Sequence, residues 1–331
     1  MIMKTARTRA IIALSLVVAA VCAFLILQRP QPTTSRIRVG YIPFNADLPF
    51  FVAMDKGFFM DEDLKIEAVR CGDSTEALNA MLSGHVDMVA GLTFSIFFAA
   101  ELASPGRFKL FFPFSEEDPR IMSYLLVAKK SGISSLEDLR GKRIGTYTGA
   151  TQLLYLKLFL KGIGLDPERD VEIIQVSPTL QVQALAANRV DALFTVEPYG
   201  TIAIRESAGQ VLVENPRSKF ILKPFWSGAA AVSVSFWQRS PDCVRRINNA
   251  LNKAVGYIQS QEEDAKKVLP KFTPMDEQTA VLSGIYRWYR LSESIDFSSI
   301  QELSELMNKH GIVPGVVDAR GFFFTESEMR F

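Results

Sequence analysis

Cysteine is scarce in this 331-residue chain and histidine scarcer, with three of the first and two of the second. Cys22 falls in an apolar leader, so only Cys71 and Cys243 remain beyond it, which excludes a disulfide-built scaffold. Whether those two are bridged stays open, because spacing along the chain does not bring their Cα atoms within bonding range. His85 and His310 have no second His or Cys at ligand spacing, so no metal site is expected. An excess of one charge is also missing. Lys plus Arg number 37 against 36 Asp plus Glu, with no long run of either sign, which excludes the basic footprint of a nucleic-acid binder. The phosphate-cradling Gly-Lys-Ser/Thr loop and the Gly-x-Ser-x-Gly elbow are absent, so no cofactor and no catalytic residue is expected.

What is present begins with a leader. Lys4, Arg7 and Arg9 precede an uncharged run from Ala10 to Leu27. As a helix that run would span about 27 Å, close to the hydrocarbon thickness of a bilayer. Basic residues ahead of it predict that everything after Arg29 lies outside the cytoplasm. Three fates stay open for the segment: a retained anchor, a cleaved signal with its site near Val21-Cys22-Ala23, or a lipoprotein signal at Cys22. Pro30 to Ser35 reads as a short stiff tether.

From Ile37 the chain alternates short apolar runs with helical patterns. Strands are predicted at Ile37 to Tyr41, Leu64 to Val69 and Val86 to Ala90, with helices at Leu48 to Met54, Ser74 to Ser83 and Phe94 to Leu102. A second series follows the charged, Pro-containing stretch 113–120. Its strands are expected at Arg143 to Thr146, Val171 to Val176 and Ala192 to Val196, its helices at Thr151 to Leu160, Thr179 to Ala187 and Pro198 to Glu206. One unit recurs at an offset of 104: STEALNAMLSGHVDMVA ending at Ala90 and PTLQVQALAANRVDALF ending at Phe194. Each has a helix, a residue tolerant of the left-handed conformation (Gly84, Asn188), then Val-Asp and a strand.

Strands alternating with helices of this length predict an α/β fold with two lobes, each a mostly parallel sheet flanked by helices. The expected divisions are 1–35 for leader and tether, 36–118 for the first lobe, 119–237 for the second, and 238–331 for a mostly helical return to the first. Helices are predicted there at Pro241 to Ser260, Glu262 to Leu269, Asp276 to Tyr289 and Ser298 to His310. Crossings near 115–122 and 226–237 would form the hinge.

In a parallel sheet the strand C-terminal ends share one edge, so the loops leaving them converge on a ligand crevice. Candidate ligand contacts are therefore Tyr41, Phe44 and Asn45 after the first strand, Asp73 and Ser74 after the second, and Thr93 and Phe94 after the third. From the second lobe come Tyr147, Thr148, Gly149, Thr151, Glu197 and Tyr199. Open helix N-termini at these places hold an anion or a carbonyl oxygen without a charged side chain. Asp73, Ser74 and Thr151 have helix capping as their competing role. The Phe94, Phe97, Phe98 run and the Phe108 to Phe114 cluster read as core.

Gly40-Tyr41-Ile42-Pro43, Pro49 to Phe59, Gly84-x-Val86-Asp87, Ser135 to Gly145 and Val196-Glu197-Pro198-Tyr199 together resemble the periplasmic substrate-binding proteins of nitrate-, sulfonate- and taurine-type ABC importers, including the pyrimidine-precursor binders. The resemblance covers roughly Ile37 to Gln259. It implies a two-lobed fold of the second periplasmic-binding-protein type, which closes on a small organic or anionic ligand and delivers it to a membrane permease. A monomer without catalytic activity is implied. The first loop, Phe44-Asn45-Ala46-Asp47, lacks the Trp or His of the pyrimidine binders, and no Arg stands out to fix a sulfonate. Two alternatives to the receptor are an enzyme on the same fold and a sensory ectodomain.

Overall fold

The computed structural model describes residues 36–329, so the leader, its membrane segment and the tether lie outside the described residues. Among the described residues no helix is long and apolar enough to cross a membrane. Two sheets carry the fold. The first contains β1 (Ile37–Tyr41), β2 (Ile66–Arg70), β3 (Met88–Thr93), β4 (Phe108–Glu116), β10 (Phe225–Ser233) and β11 (Arg287–Trp288), in the order β11-β4-β10-β3-β1-β2. The second contains β5 (Ser123–Ala128), β6 (Arg143–Tyr147), β7 (Glu172–Val176), β8 (Ala192–Val196) and β9 (Gly209–Glu214), in the order β7-β6-β8-β5-β9.

Each sheet has three parallel strands along one side, β2-β1-β3 and β7-β6-β8, with β2 and β7 at the edge. The strands that arrive from or leave for the other lobe run antiparallel to them, as β10 does on β3 and β5 on β8. The sheets are therefore mixed, where mostly parallel ones were expected. A chain crossing at the cleft enters each sheet from the opposite edge.

The repeat unit is preserved to the level of single hydrogen bonds. Asp87 accepts from the backbone N–H of Arg38 (2.9 Å) and from its guanidinium, while Arg38 Nη2 also donates to the Gly84 carbonyl. Asp191 accepts from the Arg143 N–H (2.9 Å) and guanidinium, and Arg143 Nη2 donates to the Asn188 carbonyl. Gly84 and Asn188 both take positive φ, 78° and 52°. The aspartate of each lobe thus ties the helix-to-strand turn to the neighbouring strand, which fixes where the parallel strands start.

Two expectations are corrected. The strand at Phe225–Ser233 pairs with β3 and β4, so the return to the first sheet begins at Phe225 and residues 225–237 do not belong to the second lobe. Nine consecutive buried residues give it two packed faces, which a hinge strand open to solvent would lack. The first crossing lies between β4 and β5, within the stretch expected for it, and the second lies instead around Asn215 to Pro224. In addition, 276–289 is not one helix: Glu277–Leu282 is helical, and Arg287–Trp288 then extends the first sheet along β4.

The helical return does pack on the first lobe. In Pro241–Ser260 the residues Val244, Ile247, Leu251, Ala254, Val255 and Ile258 recur at helical spacing and form one buried stripe. They share a core with Ile37, Val39, Phe50 and Phe51. Phe94, Phe97, Phe98, Phe108, Phe111, Phe112 and Phe114 are all core, as their pattern predicted. Cys71 is buried, Cys243 half-buried, and neither is bridged.

Candidate functional site

The ends of β1, β3, β6 and β8 face the crossings, and the loops that follow them carry the predicted residues. Tyr41 closes β1 with its ring edge-on to Phe51 at 5.5 Å. Asn45 is buried: its Nδ2 donates to the Ser283 hydroxyl (3.2 Å) and the Gly284 carbonyl (2.8 Å), while its Oδ1 has no partner among the described residues. Thr93, half-buried, shares a hydrogen bond with the Ser95 hydroxyl. Phe94 is fully buried and stacks on Phe98 at 5.5 Å, so its backbone and not its ring is what a ligand could meet. Phe44 is half-buried beside these.

Asp73 and Ser74 serve the helix Ser74–Leu82. Asp73 accepts from the Glu76 N–H (2.8 Å), and Glu76 reaches back to accept from the Gly72 N–H (2.7 Å). This reciprocal capping box places two carboxylates where an anion would sit, so the competing role of Asp73 describes it better.

In the second lobe Gly149 adopts φ 131°, a conformation that favours glycine, and opens the helix Ala150–Gly162 without a side-chain cap. Thr148 is exposed and Thr151 half-buried around that opening. Tyr147 ends β6 beside residues that sequence reasoning missed. Burial pushes its hydroxyl well above the usual tyrosine range, with Arg217 pulling the other way and Tyr286, Tyr199 and Glu116 adding to the rise. Tyr155 feels the same burial, the same Arg217 and the same Tyr286. Tyr147, Tyr155, Arg217 and Tyr286 therefore form one cluster of groups that act on one another.

Arg217 is its charged centre. Its Nε and Nη2 donate to Glu116 Oε2 at 3.0 and 2.6 Å, with side chains only 4 and 0% exposed. Burial works against the guanidinium's charge, but the Glu116 carboxylate holds it protonated well above its ordinary range. Glu116 Oε1 accepts further from the Ser123 hydroxyl (2.7 Å) and the Ser218 N–H (3.2 Å). Glu116 ends β4 and Arg217 stands between β9 and β10, so this pair ties the two crossings together. Nη1 is the arm of the guanidinium not engaged with Glu116.

Aromatic faces surround the pair. Phe225 lies 4.9 Å from the Arg217 guanidinium carbon and edge-on to Tyr155, and Tyr286 packs on Phe114 at 4.8 Å. On the helix Ala150–Gly162, Gln152 and Tyr155 share a face. Four buried groups on these elements, Thr146 Oγ1, Gln152 Oε1, Trp226 Nε1 and Ser227 Oγ, have no partner among the described residues. Buried polar groups ordinarily find one, so each is a place for water or a ligand atom. The sequence signal for Arg217 was its place in Asn215-Pro216-Arg217-Ser218, where Pro216 opens the short helix Pro216–Phe220 ahead of the strand Phe225–Ser233.

Glu197 is buried and saturated. It accepts from the Tyr124 hydroxyl (2.8 Å), the Thr201 hydroxyl (2.7 Å) and N–H (3.1 Å), and the Gly284 N–H (2.8 Å). Burial pushes its carboxyl up, and these four bonds pull it back toward the ionised form. Tyr199, half-buried, follows two residues on, near enough to act on Tyr147. Among the described residues no group of three His, Cys, Asp or Glu side chains is arranged to hold a metal.

Comparison with known proteins agrees with this architecture. The model of the NMT1-like family matches residues 30–270. A putative aliphatic sulfonates-binding protein of Bacillus subtilis is 26% identical over 242 residues, 70% of this chain and 68% of that protein. The nitrate import ATP-binding protein NrtC of Synechocystis is 26% identical over 192 residues, 53% of this chain but only 28% of that protein. The match to NrtC thus spans less than a third of that relative's length. Among solved structures, the periplasmic aliphatic sulphonate binding protein SsuA from Escherichia coli superposes with a TM-score of 0.71 at 17% identity, covering 88% of this chain and 92% of that one. The desulfurization enzyme DSZB superposes with a TM-score of 0.69 at 17% identity, over 89 and 98% of the two chains. The fold is that of the periplasmic binding proteins.

Proposed function

The chain belongs to the NMT1-like family, and from that premise we propose that it is the extracytoplasmic solute-binding component of an ATP-driven importer. It captures a small organic or anionic solute between the lobes and hands it to a membrane permease. The observation that carries this reading is the buried Arg217–Glu116 pair at the crossings, packed by Phe225 and Tyr155 and accompanied by buried polar groups without partners among the described residues. Such a site offers hydrogen bonds and aromatic surface to a ligand enclosed by two bodies. Tyr41, Phe44, Asn45, Thr93, the Phe94 backbone, Tyr147 to Thr151 and Tyr199 complete its wall. The receptor acts as a monomer and catalyses no reaction, although an enzyme is built on the same fold.

Thermal-shift and calorimetric titration of the chain with nitrate, alkanesulfonates, pyrimidines and amines tests the reading. One class should stabilise the protein, by about 2.7 kcal/mol at a hundredfold excess over Kd. Replacing Tyr147 by Phe, which removes the hydroxyl and keeps the ring packed, should weaken that gain while leaving the unliganded melting temperature close to its original value. Absence of any stabilising compound, or turnover of a bound one, would overturn the reading.

A further inference from the structure

Glu197 sits at the edge of the second lobe with its bonding capacity divided unequally. Three of its four donors, the Tyr124 hydroxyl and the Thr201 hydroxyl and N–H, come from its own lobe. The fourth, the Gly284 N–H, belongs to the segment that goes on to pair with β4 of the first sheet. The Gly284 carbonyl in turn accepts from Asn45 of the first lobe. Gly284 is also wedged against the crossing: a Cβ placed on it would lie 1.5 Å from the Ile121 carbonyl oxygen. Nearby, Arg205 of the second lobe donates to Asp276 (2.9 and 3.1 Å) and Gln278 (2.7 Å) of the returning segment.

We propose that Glu197 is a positioning residue, an interlobe latch that holds the lobes closed before any solute arrives, and not a ligand contact. Its carboxylate is aimed by three donors of its own lobe, so closing adds the charge-assisted bond from Gly284 to those of Arg205 at little further ordering cost. Opening breaks the Glu197–Gly284 bond together with those of Arg205, and releases the Gly284 N–H to water. A contact of this form is reversible, and it sets the ratio of closed to open protein instead of welding the lobes. The inference rests on the two-lobed receptor reading, because only a receptor needs that ratio.

The test needs no ligand. In the full chain with its native cysteines changed to Ser, spin labels at exposed Thr75 and Leu180, beyond the ends of β2 and β7, report the interlobe distance by electron–electron resonance. The parent protein should show mainly the short distance. Glu197→Ala should raise the open-to-closed ratio roughly tenfold or more, the usual weight of a hydrogen bond to a charged group. Glu197→Gln should move it in the same direction, and decides the matter if the alanine variant does not fold. Tyr124→Phe, which removes a donor within one lobe, should leave the ratio within about twofold. An unchanged distribution in the folded Glu197 variants, or a parent already open, would overturn the latch. Failure of the receptor reading is seen separately, as a solute panel without thermal shifts alongside an intact ligand-free distance response.

Discussion

Replacing Arg217 by Met tests the centre of the molecule. The substitution keeps an unbranched chain against Phe225 and removes the charge that Glu116 faces at 2.6 Å, where neither side chain is more than 4% exposed. Breaking a buried pair by deleting one partner costs about 3–5 kcal/mol, because the remaining charge is left uncompensated. Glu116 keeps the Ser123 hydroxyl and the Ser218 N–H, which puts the expected loss at the lower end, ~3 kcal/mol. For a protein of this size, at about 2.1 cal/mol/K of unfolding entropy per residue, that corresponds to a fall in Tm of roughly 4–5 °C. Glu116→Gln combined with Arg217→Met should recover most of the loss, since a neutral amide still accepts from Ser123 and Ser218. Urea or thermal unfolding of the four proteins closes a double-mutant cycle. A loss below about 1 kcal/mol for Arg217→Met, or simple additivity in the double variant, would refute the assignment of an energetically coupled ion pair between the crossings.

Asp47 gives a pH signature. Burial raises its carboxyl well above the ordinary range, against the pull of the Ile42 N–H, and its Oδ1 has no partner among the described residues. The folded state then binds a proton that the unfolded state has released, so this group's contribution to stability is lost as pH rises from the usual carboxylate range through the raised value. Asp47→Asn, which still accepts from Ile42, should flatten the fall in stability across that window, and identical slopes in melts at successive pH values would contradict the assignment. Gly284→Ala should cost more than about 1 kcal/mol through overpacking against Ile121, read as a lower urea midpoint. Asp87→Ala and Asp191→Ala should each cost about 1–2 kcal/mol, because each carboxylate serves a half-exposed guanidinium and one backbone N–H. Their losses should add, as the two sites lie in different sheets, and strong non-additivity in the double variant would argue against independent lobes.

Local pattern carried much of the fold. Ala192–Val196 and Pro241–Ser260 form with the bounds that their periodicity predicts, and the unit repeated at an offset of 104 is two turns closed by matched Arg-Asp pairs. The site was legible only in part. The loops at strand ends were recognisable because every parallel strand must end in one, but which loop residues face a ligand depends on what they bond to. Asp73 turned to its own helix, Glu197 to Gly284, and Asn45 to the segment carrying Gly284. Those partners lie up to 239 residues away, beyond any periodicity.

The sequence by itself determined that two α/β lobes form, since side-chain alternation, helix stripes, and the Gly84 and Asn188 turns are local properties of the chain. Tertiary structure alone decided where the chain returns from the second lobe and what the crossings contain. A buried ion pair such as Glu116 with Arg217 is stable only when both charges are desolvated together, and residues 101 positions apart meet only after both sheets have formed. The same holds for Gly284, an unremarked glycine in the sequence, whose missing side chain lets one backbone lie against another where the lobes join.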